Sequence, residues 1–544
     1  MAASKNQNYL HGAAILTIAV VITKILGAIY KIPLANIMGP EGYAHFSVAY
    51  NLYMVLLTLS TAGLPIALAK MVSVANSLDR PNQVRRIFNV ATWVFIVLGA
   101  IWTVVMFIYP TELAVFMGDV EASQSVLAMA PAVILVCVMS AFRGYTQGLS
   151  DMRPTSVSQV IEVAVKVAFG LVVLIILNSQ GLSSPLLSAG AISGVAAGSL
   201  VACLYTAVVA KRRMKSEAER YEGTEAAAND TPDSRGTILK NFARIGIPIA
   251  LGSCVQSVIT LINTKLIYER LQNGAGFSYT DSNAMFGEYS MTLPLFNLPA
   301  AIITPLTISV VPAIAGFLAK KQFDEAKSVV ESSLRIATII ALPMAVGLSV
   351  LSVPVMHGLY GKSTEQGASL LAILGAASFF VCLSLMSTAI LQAGGRERLP
   401  MITLLIGGSL NIAINWYLLS RADVNIYGAP VGTLICYIIM SALNLIFLMT
   451  KMPEKPSLGK VFIKPVFNCA VMGASARLVY PAALKAIGAS LDPARKEVIA
   501  ALVIAIFVAV VVYMVLTIIT KAVTIEDMRL IPKGEKVAKV LHIR

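Results

Sequence analysis

Charged side chains inside long apolar segments are the residues of this sequence that could do chemistry. A charge at the depth of the hydrocarbon core costs about 2.5–3.5 kcal/mol on insertion scales, so the charges that remain there usually face a polar interior. Lys24 and Lys31 share the first apolar segment and lie seven residues apart, which puts them on one face of a helix. Ammonium groups bind phosphate oxygens as compact point charges, and we predict a cationic stripe that faces an anionic substrate. The alternative for Lys31 is that it extends to the outer interface.

Three further basic residues are candidates for the path of such a substrate. Arg143 lies in the fourth apolar segment and Arg335 lies three turns into the ninth. Lys265 lies late in the seventh segment, where its surroundings are either an outer gate or the outer interface. We predict that all three contact the substrate together with the two lysines of the first segment.

Two carboxylates in the same segments are candidates for coupling to an ion. Glu162 precedes Lys166 by four residues, and Glu269 follows Lys265 by four, so each acid has a base on the same helix face. We favour mutual neutralisation of Glu162 and Lys166 over a role in transport, and we keep ion coupling as the alternative.

Enzyme and metal motifs are absent from the sequence. The triplet Gly361-Lys362-Ser363 lacks the upstream glycine of a phosphate loop, because Met356 stands there. The six cysteines and four histidines are dispersed, which is typical of packing residues rather than of a metal site. We therefore predict a transporter rather than an enzyme, without cofactor, driven by an ion gradient, by the membrane potential or by the substrate gradient.

The elements that position these residues are membrane-spanning helices. Hydrophobic residues make up 57% of the chain and charged residues 13%, against about 25% in soluble domains. A spanning helix needs about 20 apolar residues. The first apolar run is too long for the core of a signal peptide, so we interpret it as a retained helix. Fourteen runs meet the length criterion, near residues 10–38, 46–75, 86–109, 122–149, 157–178, 184–210, 238–270, 285–318, 323–353, 366–394, 399–419, 426–450, 462–484 and 496–521.

The basic residues between these runs predict the topology. Alternate loops and the two termini hold 27 of the 42 lysines and arginines, whereas the opposite loops hold six. The positive-inside rule then places both termini in the cytoplasm. The chain is predicted to be a multi-pass protein of the cell membrane. This distribution also explains the net charge of +14 without a nucleic-acid partner.

The two halves of the chain repeat weakly. Gln147-Gly148 precedes Gln392-Ala393 by 245 residues, and Leu78-Asp79 precedes Phe323-Asp324 by the same offset. Parallel repeats of six spans are typical of transporters whose substrate path lies between two bundles. We predict an N-terminal six-helix bundle at 1–210, a cytoplasmic linker at 211–237, a C-terminal six-helix bundle at 238–450, and two additional helices with a basic tail at 451–544.

Several motifs resemble those of one family of membrane proteins, the stage V sporulation protein B and YtgP group. This group belongs to the multidrug/oligosaccharidyl-lipid/polysaccharide (MOP) exporter superfamily and is related to the MurJ lipid II flippases. The motifs that carry the resemblance are Thr23-Lys24-Ile25-Leu26-Gly27, Tyr30-Lys31-Ile32-Pro33, the run from Thr58 to Pro65, Arg143-Gly144-Tyr145-Thr146-Gln147-Gly148 and Pro294-Leu295-Phe296-Asn297-Leu298-Pro299.

The resemblance implies a fold and a substrate. The fold is all-α, with two bundles around a V-shaped cavity that alternates between the membrane faces, and the last two helices form a groove for a polyprenyl tail. The substrate is an undecaprenyl-diphosphate-linked peptidoglycan precursor, lipid II or a related lipid-linked saccharide. Lys24 resembles in position a basic residue that faces the cavity in the flippases.

Three functions are compatible with this sequence. The first is the flippase just described, with roles in cell-wall synthesis, cell shape or sporulation. The second is a cation-coupled multidrug exporter of the same superfamily, which would be expected to carry buried carboxylates for its cations. The third is a scaffold for cell-wall synthesis proteins that transports nothing. We favour the flippase, and we expect a monomer.

Overall fold

The computed structural model describes residues 2–361, 365–490 and 492–523, with side chains from Ala19 onward except at 20, 21, 24, 25, 251–253, 309, 365 and 460. These residues form helices joined by short turns. Twelve of the helical stretches are long and apolar enough to cross a membrane, and a bent pair over Arg235–Ala250 and Cys254–Gly274 adds a thirteenth. The prediction of an all-α, multi-pass membrane protein is confirmed.

The difference from the fourteen predicted spans lies at the start of the chain. One stretch, Leu26–Ser77, is 52 residues long and overlaps the first two predicted segments. A continuous helix of that length would extend about 78 Å, more than twice the roughly 30 Å hydrocarbon core. The helix breaks at Gly39, whose φ of 70° is in the left-handed region that favours glycine, and Pro40 follows. The stretch therefore has the length and the break that two crossings require.

The chain divides into two compact units, Met1–Glu269 and Arg270–Arg544. The helices of the N-terminal unit are α1 (Ala2–Thr61), α2 (Leu64–Ser77), α3 (Pro81–Ile108), α4 (Pro110–Met117), α5 (Ser123–Gly148), α6 (Arg153–Ser179), α7 (Ser184–Tyr221), α8 (Glu225–Asn229) and α9 (Arg235–Glu269). A short 3₁₀ turn, Val120–Ala122, joins α4 to α5. Several of these helices start with proline in the first turn, where its missing N–H costs nothing.

Helix α9 belongs to the N-terminal unit in the structure. The amide of Asn51 donates to the hydroxyl of Thr264 over 3.2 Å, and Ser257 donates to Thr58 over 3.0 Å, so α9 is bonded to the second half of α1. The apolar runs and the repeat of the two halves predict residues 238–269 as part of the C-terminal bundle. The compact unit ends at Glu269 instead, because these contacts hold α9 against α1. The bundle boundaries at 210 and 238 stay a prediction.

A row of glycines brings α6 and α7 into close contact. Gly190, Gly194 and Gly198 recur every four residues on one face of α7. A Cβ atom on Gly194 would lie 2.6 Å from the carbonyl oxygen of Lys166, and one on Gly198 would clash with the carbonyl oxygen of Glu162. Small residues at such positions allow helix backbones to approach closely in a membrane, where the burial of apolar surface does not itself drive helix association. This packing holds the part of α6 that carries Glu162 and Lys166.

The C-terminal unit contains nine further helices among the described residues. They are α10 (Tyr279–Phe296), α11 (Leu298–Ala319), α12 (Phe323–Val350), α13 (Ser352–Tyr360), α14 (Glu365–Ala393), α15 (Arg398–Leu418), α16 (Gly428–Lys451), α17 (Leu458–Ile487) and α18 (Arg495–Ile519). Buried apolar residues of α11, α12, α14 and α16 form one core cluster. A second cluster joins α17 and α18 to the end of α12 and to α13.

Polar side chains connect the helices of this unit. Asn444 of α16 donates to Ser387 and Thr388 of α14 over 3.2 Å, and accepts from Thr403 of α15 over 2.9 Å. Each hydrogen bond satisfies a group that would otherwise be unpaired in an apolar interior. The six cysteines of the chain are all buried and unbridged, as is typical of packing residues.

Candidate functional site in the N-terminal unit

Three helices of the N-terminal unit bring charged and phenolic side chains together inside the bundle. Helix α1 contributes from both sides of its break, α5 contributes an arginine, and α6 contributes an acid and a lysine. These helices pack against one another, and the glycine row of α7 fixes α6 behind them. We call this group the charged cluster, and its members are Lys31, Tyr50, Tyr53, Arg143, Ser158, Glu162 and Lys166.

Arg143 is the best-bonded member of the charged cluster. Its Nε donates to the hydroxyl of Ser158 over 2.8 Å, and one terminal nitrogen donates to Glu162 over 2.9 Å. The side chains of Arg143 and Glu162 are 13% and 23% exposed, so the ion pair is shielded from solvent on most sides. A charge-assisted bond of this kind needs both partners, since either charge alone would be desolvated without compensation.

This ion pair corrects one interpretation of the sequence. Glu162 was predicted to be neutralised within its own helix by Lys166, four residues on. In the structure its partner is Arg143 of α5, because that guanidinium lies across the helix contact within hydrogen-bonding distance. The predicted residues Arg143 and Glu162 are thus brought together, and Lys166 takes a different role.

Lys31 and Lys166 give the charged cluster its excess of positive charge. The Nζ of Lys31 lies 5.5 Å from the centre of the Tyr50 ring, a cation–π contact, and it is subject to the like charge of Lys166. Both lysine side chains are partly exposed. The cluster therefore holds three cations and one carboxylate, and an anion that bound beside the lysines would relieve their repulsion.

An aromatic ladder along the second half of α1 includes the two tyrosines of the charged cluster. Tyr43, Phe46, Tyr50 and Tyr53 follow at spacings of three or four residues, with neighbouring ring centres about 6 Å apart. Tyr53 is buried and is subject to the opposite charges of Glu162 and Arg143. This ladder connects the cation–π contact of Lys31 to the ion pair, and sequence analysis did not single it out.

Lys24 shares α1 with Lys31, but its side chain lies outside the described residues. The seven-residue spacing still predicts a position on the same helix face, two turns away. Its role therefore stays a prediction.

Lys265 and Glu269 lie at the far end of α9. The Nζ of Lys265 lies 4.3 Å from the centre of the Phe116 ring of α4, and Glu269 is exposed. Next to this contact, the ring of Tyr268 fills the space in which a Cβ on Gly118 would lie. Lys265 thus helps to hold α4 against α9, and its described contact is separate from the charged cluster.

Arg335 lies in the C-terminal unit, on α12. It is 9% exposed and is flanked on its helix by Leu334 and Ala337, both members of the apolar core cluster. Burial of a guanidinium at such a position carries a large desolvation cost. Arg335 therefore remains a candidate for a functional residue.

A buried histidine site was missed by the sequence reasoning. The Nδ1 of His45 lies 2.8 Å and 3.0 Å from the two carboxylate oxygens of Asp119, and its Nε2 lies 3.4 Å from Glu121. The side chains of His45 and Asp119 are fully buried. Asp119 also accepts from the backbone N–H of Ala122 over 3.2 Å. The contact fixes the turn after α4 onto α1, and the only signal in the sequence was a histidine within an apolar segment.

Two glutamates outside the charged cluster have clear structural partners. Glu288 of α10 accepts a hydrogen bond of 2.6 Å from the backbone N–H of Gly367 in the first turn of α14. Glu331 of α12 accepts one of 2.7 Å from the N–H of Ser457, just before α17. Both carboxylates satisfy N–H groups at or next to helix starts, where negative charge is favoured.

Comparison with known proteins gives two overlapping family matches. The family described as "Polysaccharide biosynthesis protein" matches residues 9–318, and the family "MatE" matches residues 248–417. Two curated relatives from Bacillus subtilis (strain 168) match most of the chain. Stage V sporulation protein B is 25% identical over 453 residues, covering 80% of this chain and 83% of its own. Lipid II flippase MurJ is 25% identical over 450 residues, covering 79% and 80%.

Two solved structures share the fold. A structure of lipid II flippase MurJ in an inward closed conformation aligns with a TM-score of 0.68 at 14% identity, and covers 93% of this chain and 98% of that one. An inward-facing multidrug resistance transporter of the MATE family aligns with a TM-score of 0.63 at 14% identity, and covers 80% and 97%. The predicted fold class is confirmed by both.

Proposed function

Because the chain belongs to the polysaccharide biosynthesis protein family, whose model matches residues 9–318, we propose that it is a flippase for an undecaprenyl-diphosphate-linked cell-wall precursor. It is a multi-pass membrane protein of the MOP superfamily of transporters, and the resemblance stated from its motifs is confirmed. The proposed substrate is lipid II or a related lipid-linked saccharide, which the flippase moves across the cell membrane by alternating access.

The observation that carries this proposal is the relationship to MurJ, which is 25% identical over 450 residues and aligns with 79% of this chain. The fold of MurJ also covers 93% of the chain. This relationship favours a substrate of the kind that MurJ is named for. A lipid-linked substrate has a long polyprenyl tail, which needs an apolar surface that a soluble drug does not need.

Helices α17 and α18 are the elements that we assign to the tail. Ile463 and Leu478 of α17 and Phe507 of α18 are large apolar side chains that are mostly exposed at the unit's surface. Such a surface is compatible with acyl or polyprenyl chains on its outer side. The buried side of the same pair is anchored by Tyr513, whose hydroxyl donates to the carbonyl oxygen of Ile339 over 2.9 Å.

The charged cluster is the part of the N-terminal unit that we assign to the diphosphate. Lys31 and Lys166 are half-buried residues with like charges that repel one another, and phosphate oxygens between or beside them would replace that repulsion with attraction. Arg143 is already bonded to Glu162, so we assign it to holding α5 and α6 in place. Lys24 and Arg335 complete the set of cations that we propose for the substrate path.

Energy coupling follows from the same residues. We propose that Glu162 exchanges its partner Arg143 for an ion or a proton during the transport cycle, or else that the membrane potential acts directly on the charged substrate. Glu269 is exposed at the end of α9, a place where an ion would reach it from solvent.

One observation favours a second candidate, a cation-coupled multidrug exporter. The MatE family matches residues 248–417, which lie largely in the C-terminal unit. An exporter of cationic drugs would use carboxylates, yet Glu288 is bonded to the N–H of Gly367 and Glu162 to Arg143. These pairings support the flippase as the better assignment.

The experiment that separates the two candidates is rescue of a bacterium depleted of its own lipid II flippase. We expect expression of this chain to restore growth and cell shape, and to leave the tolerance of a drug-sensitive strain to cationic drugs unchanged. Membrane expression is measured in parallel by immunoblot. Absence of rescue at normal expression, together with raised drug tolerance, would contradict the flippase and support the exporter.

A further inference from the structure

A second cationic site lies on the N-terminal unit, away from the charged cluster. A cavity of about 1160 Å³ opens between the first turns of α3 and α9 and beneath the segment that leads into α9. Helices α3 and α9 meet below it, where the buried rings of Phe95 and Phe242 pack edge to face at 6.3 Å. The lining residues of both helices precede this contact in the chain, at 82–94 on α3 and at 235–239 on α9.

Three arginines line the cavity and no carboxylate does. Arg85 and Arg86 come from α3 and Arg235 from α9, and the lining residues all belong to the described part of the chain. Arg86 donates to the carbonyl oxygens of Pro232 and Asp233, which leaves its charge uncompensated. Arg85 and Arg235 are exposed. The lining side chains therefore carry a formal charge of +3, and Arg80 with Asp230 and Asp233 on the rim lowers the local sum to +2.

The acids closest to the cavity along the chain are engaged on its rim. Asp230 accepts from Nε of Arg80 over 3.0 Å and from the backbone N–H of Gln83 over 2.9 Å. Asp233 accepts from the side-chain amide of Gln83 over 2.9 Å. These bonds fix the segment before α9 to the start of α3, so the rim of the cavity is held in place by hydrogen bonds.

Farther along the same two helices, the lining of the cavity is apolar. Val90, Val94 and Leu239 line it, and Trp93 stands beside them with 68% of its surface exposed. Trp93 lies eight residues after Arg85 on α3, a rise of about 12 Å along the helix. Tryptophan is enriched at the membrane–water interface, so Trp93 marks the boundary between headgroups and acyl chains, and the arginines lie on its headgroup side.

We propose that this cavity binds the phosphate of an anionic membrane lipid, with Arg85 and Arg235 on the phosphate and Trp93 and Leu239 along the upper acyl chains. Basic pockets between spanning helices bind lipids of this class, and guanidinium groups match phosphate oxygens in pairs. An anionic phospholipid such as phosphatidylglycerol fits both walls. A polyprenyl diphosphate would present the same chemistry, and the experiment separates the two. The site does not depend on which substrate the protein transports.

The test uses Trp93 as its own reporter. Trp102→Phe and Trp416→Phe leave Trp93 as the one tryptophan of the full chain, which is reconstituted in vesicles of phosphatidylcholine with phosphatidylglycerol. In separate samples, one lipid or the other carries brominated acyl chains, which quench nearby tryptophan. We expect brominated phosphatidylglycerol to quench Trp93 at several-fold lower mole fraction than brominated phosphatidylcholine. Arg85→Gln with Arg235→Gln should remove that preference.

A matched control keeps the result specific. Lys320→Gln with Lys321→Gln removes two exposed charges from the other unit and should leave the preference intact. Equal quenching by both lipids, or a preference that survives loss of both arginines, would overturn the proposal. Relief of quenching by one equivalent of undecaprenyl diphosphate would overturn the phospholipid as occupant and assign the same phosphate site to the polyprenyl lipid. No relief supports the phospholipid.

Discussion

The four charged residues of the charged cluster divide into a pair that holds helices and a pair that is available to a ligand. Arg143 and Glu162 are bonded to each other at 2.9 Å and are largely shielded from solvent. Lys31 and Lys166 are partly exposed and carry like charges. Removal of a charge from the first pair should therefore change stability, and removal of a charge from the second should change transport.

Lys31→Ala is expected to lower the rate of substrate transport by about tenfold while leaving the protein folded, because a charge-assisted contact to phosphate contributes about 1.5–3 kcal/mol. Lys31→Arg should retain most of the rate. Transport is measured in vesicles, and folding by thermal unfolding in detergent. Lys70→Ala, which removes an exposed charge from α2, is the matched control and should transport normally. A Lys31→Ala protein with the wild-type rate would remove Lys31 from the substrate path.

Arg143→Ala is expected to lower the free energy of unfolding by about 3 kcal/mol, since it leaves the carboxylate of Glu162 without its partner. Arg143→Met combined with Glu162→Leu should recover much of that loss, because an apolar pair of similar volume replaces a paired charge at little cost. The midpoint of thermal unfolding in detergent measures both. If the double variant is as unstable as Arg143→Ala, the ion pair is not what holds α5 to α6.

At the scale of the helices, the contact between α6 and α7 depends on the absence of side chains. The three atoms nearest to a Cβ on Gly194 would all be backbone atoms of α6, the closest being the carbonyl oxygen of Lys166 at 2.6 Å. Backbone atoms cannot rotate out of the way as a flexible side chain can. The two helices would have to separate, and the charges of α6 would move with them.

Gly194→Ala is therefore expected to destabilise the protein by about 1–3 kcal/mol, the range of overpacked cores. The control is Gly347→Ala in α12, where nothing lies within 4 Å of the added Cβ. That change should be neutral or stabilising by about 1 kcal/mol, because alanine favours helix over glycine. Thermal unfolding in detergent compares the two, and equal effects would show that the glycine row does not set the α6–α7 distance.

The helices could be predicted from the sequence, whereas their partners could not. Each apolar run falls on a helix, because a backbone in lipid must satisfy its own hydrogen bonds. The pattern does not tell which face of a helix meets a neighbour, since lipid and protein interior are both apolar. For this reason Glu162 was paired with Lys166 instead of Arg143, and the contact between His45 and Asp119, 74 residues apart, was missed.

At the scale of the whole molecule, each unit carries a part of the proposed function. The N-terminal unit holds the charged cluster, and the C-terminal unit holds α17 and α18, whose outer faces are apolar. A substrate with a charged diphosphate and a long apolar tail requires both kinds of surface. A drug-sized cation would require neither the excess of lysines nor the added helix pair.

The most direct test of the flippase is a reconstituted flipping assay. The full chain is placed in vesicles with a fluorescent lipid II, and the fraction that becomes accessible to a membrane-impermeant quencher is followed in time, beside a neutral polyprenyl lipid with the same tail. We predict that the protein moves the diphosphate lipid several times faster than empty vesicles do, and that it leaves the neutral lipid at the background rate. If lipid II and the other polyprenyl-diphosphate saccharides all cross the membrane at the background rate, the proposed function is contradicted.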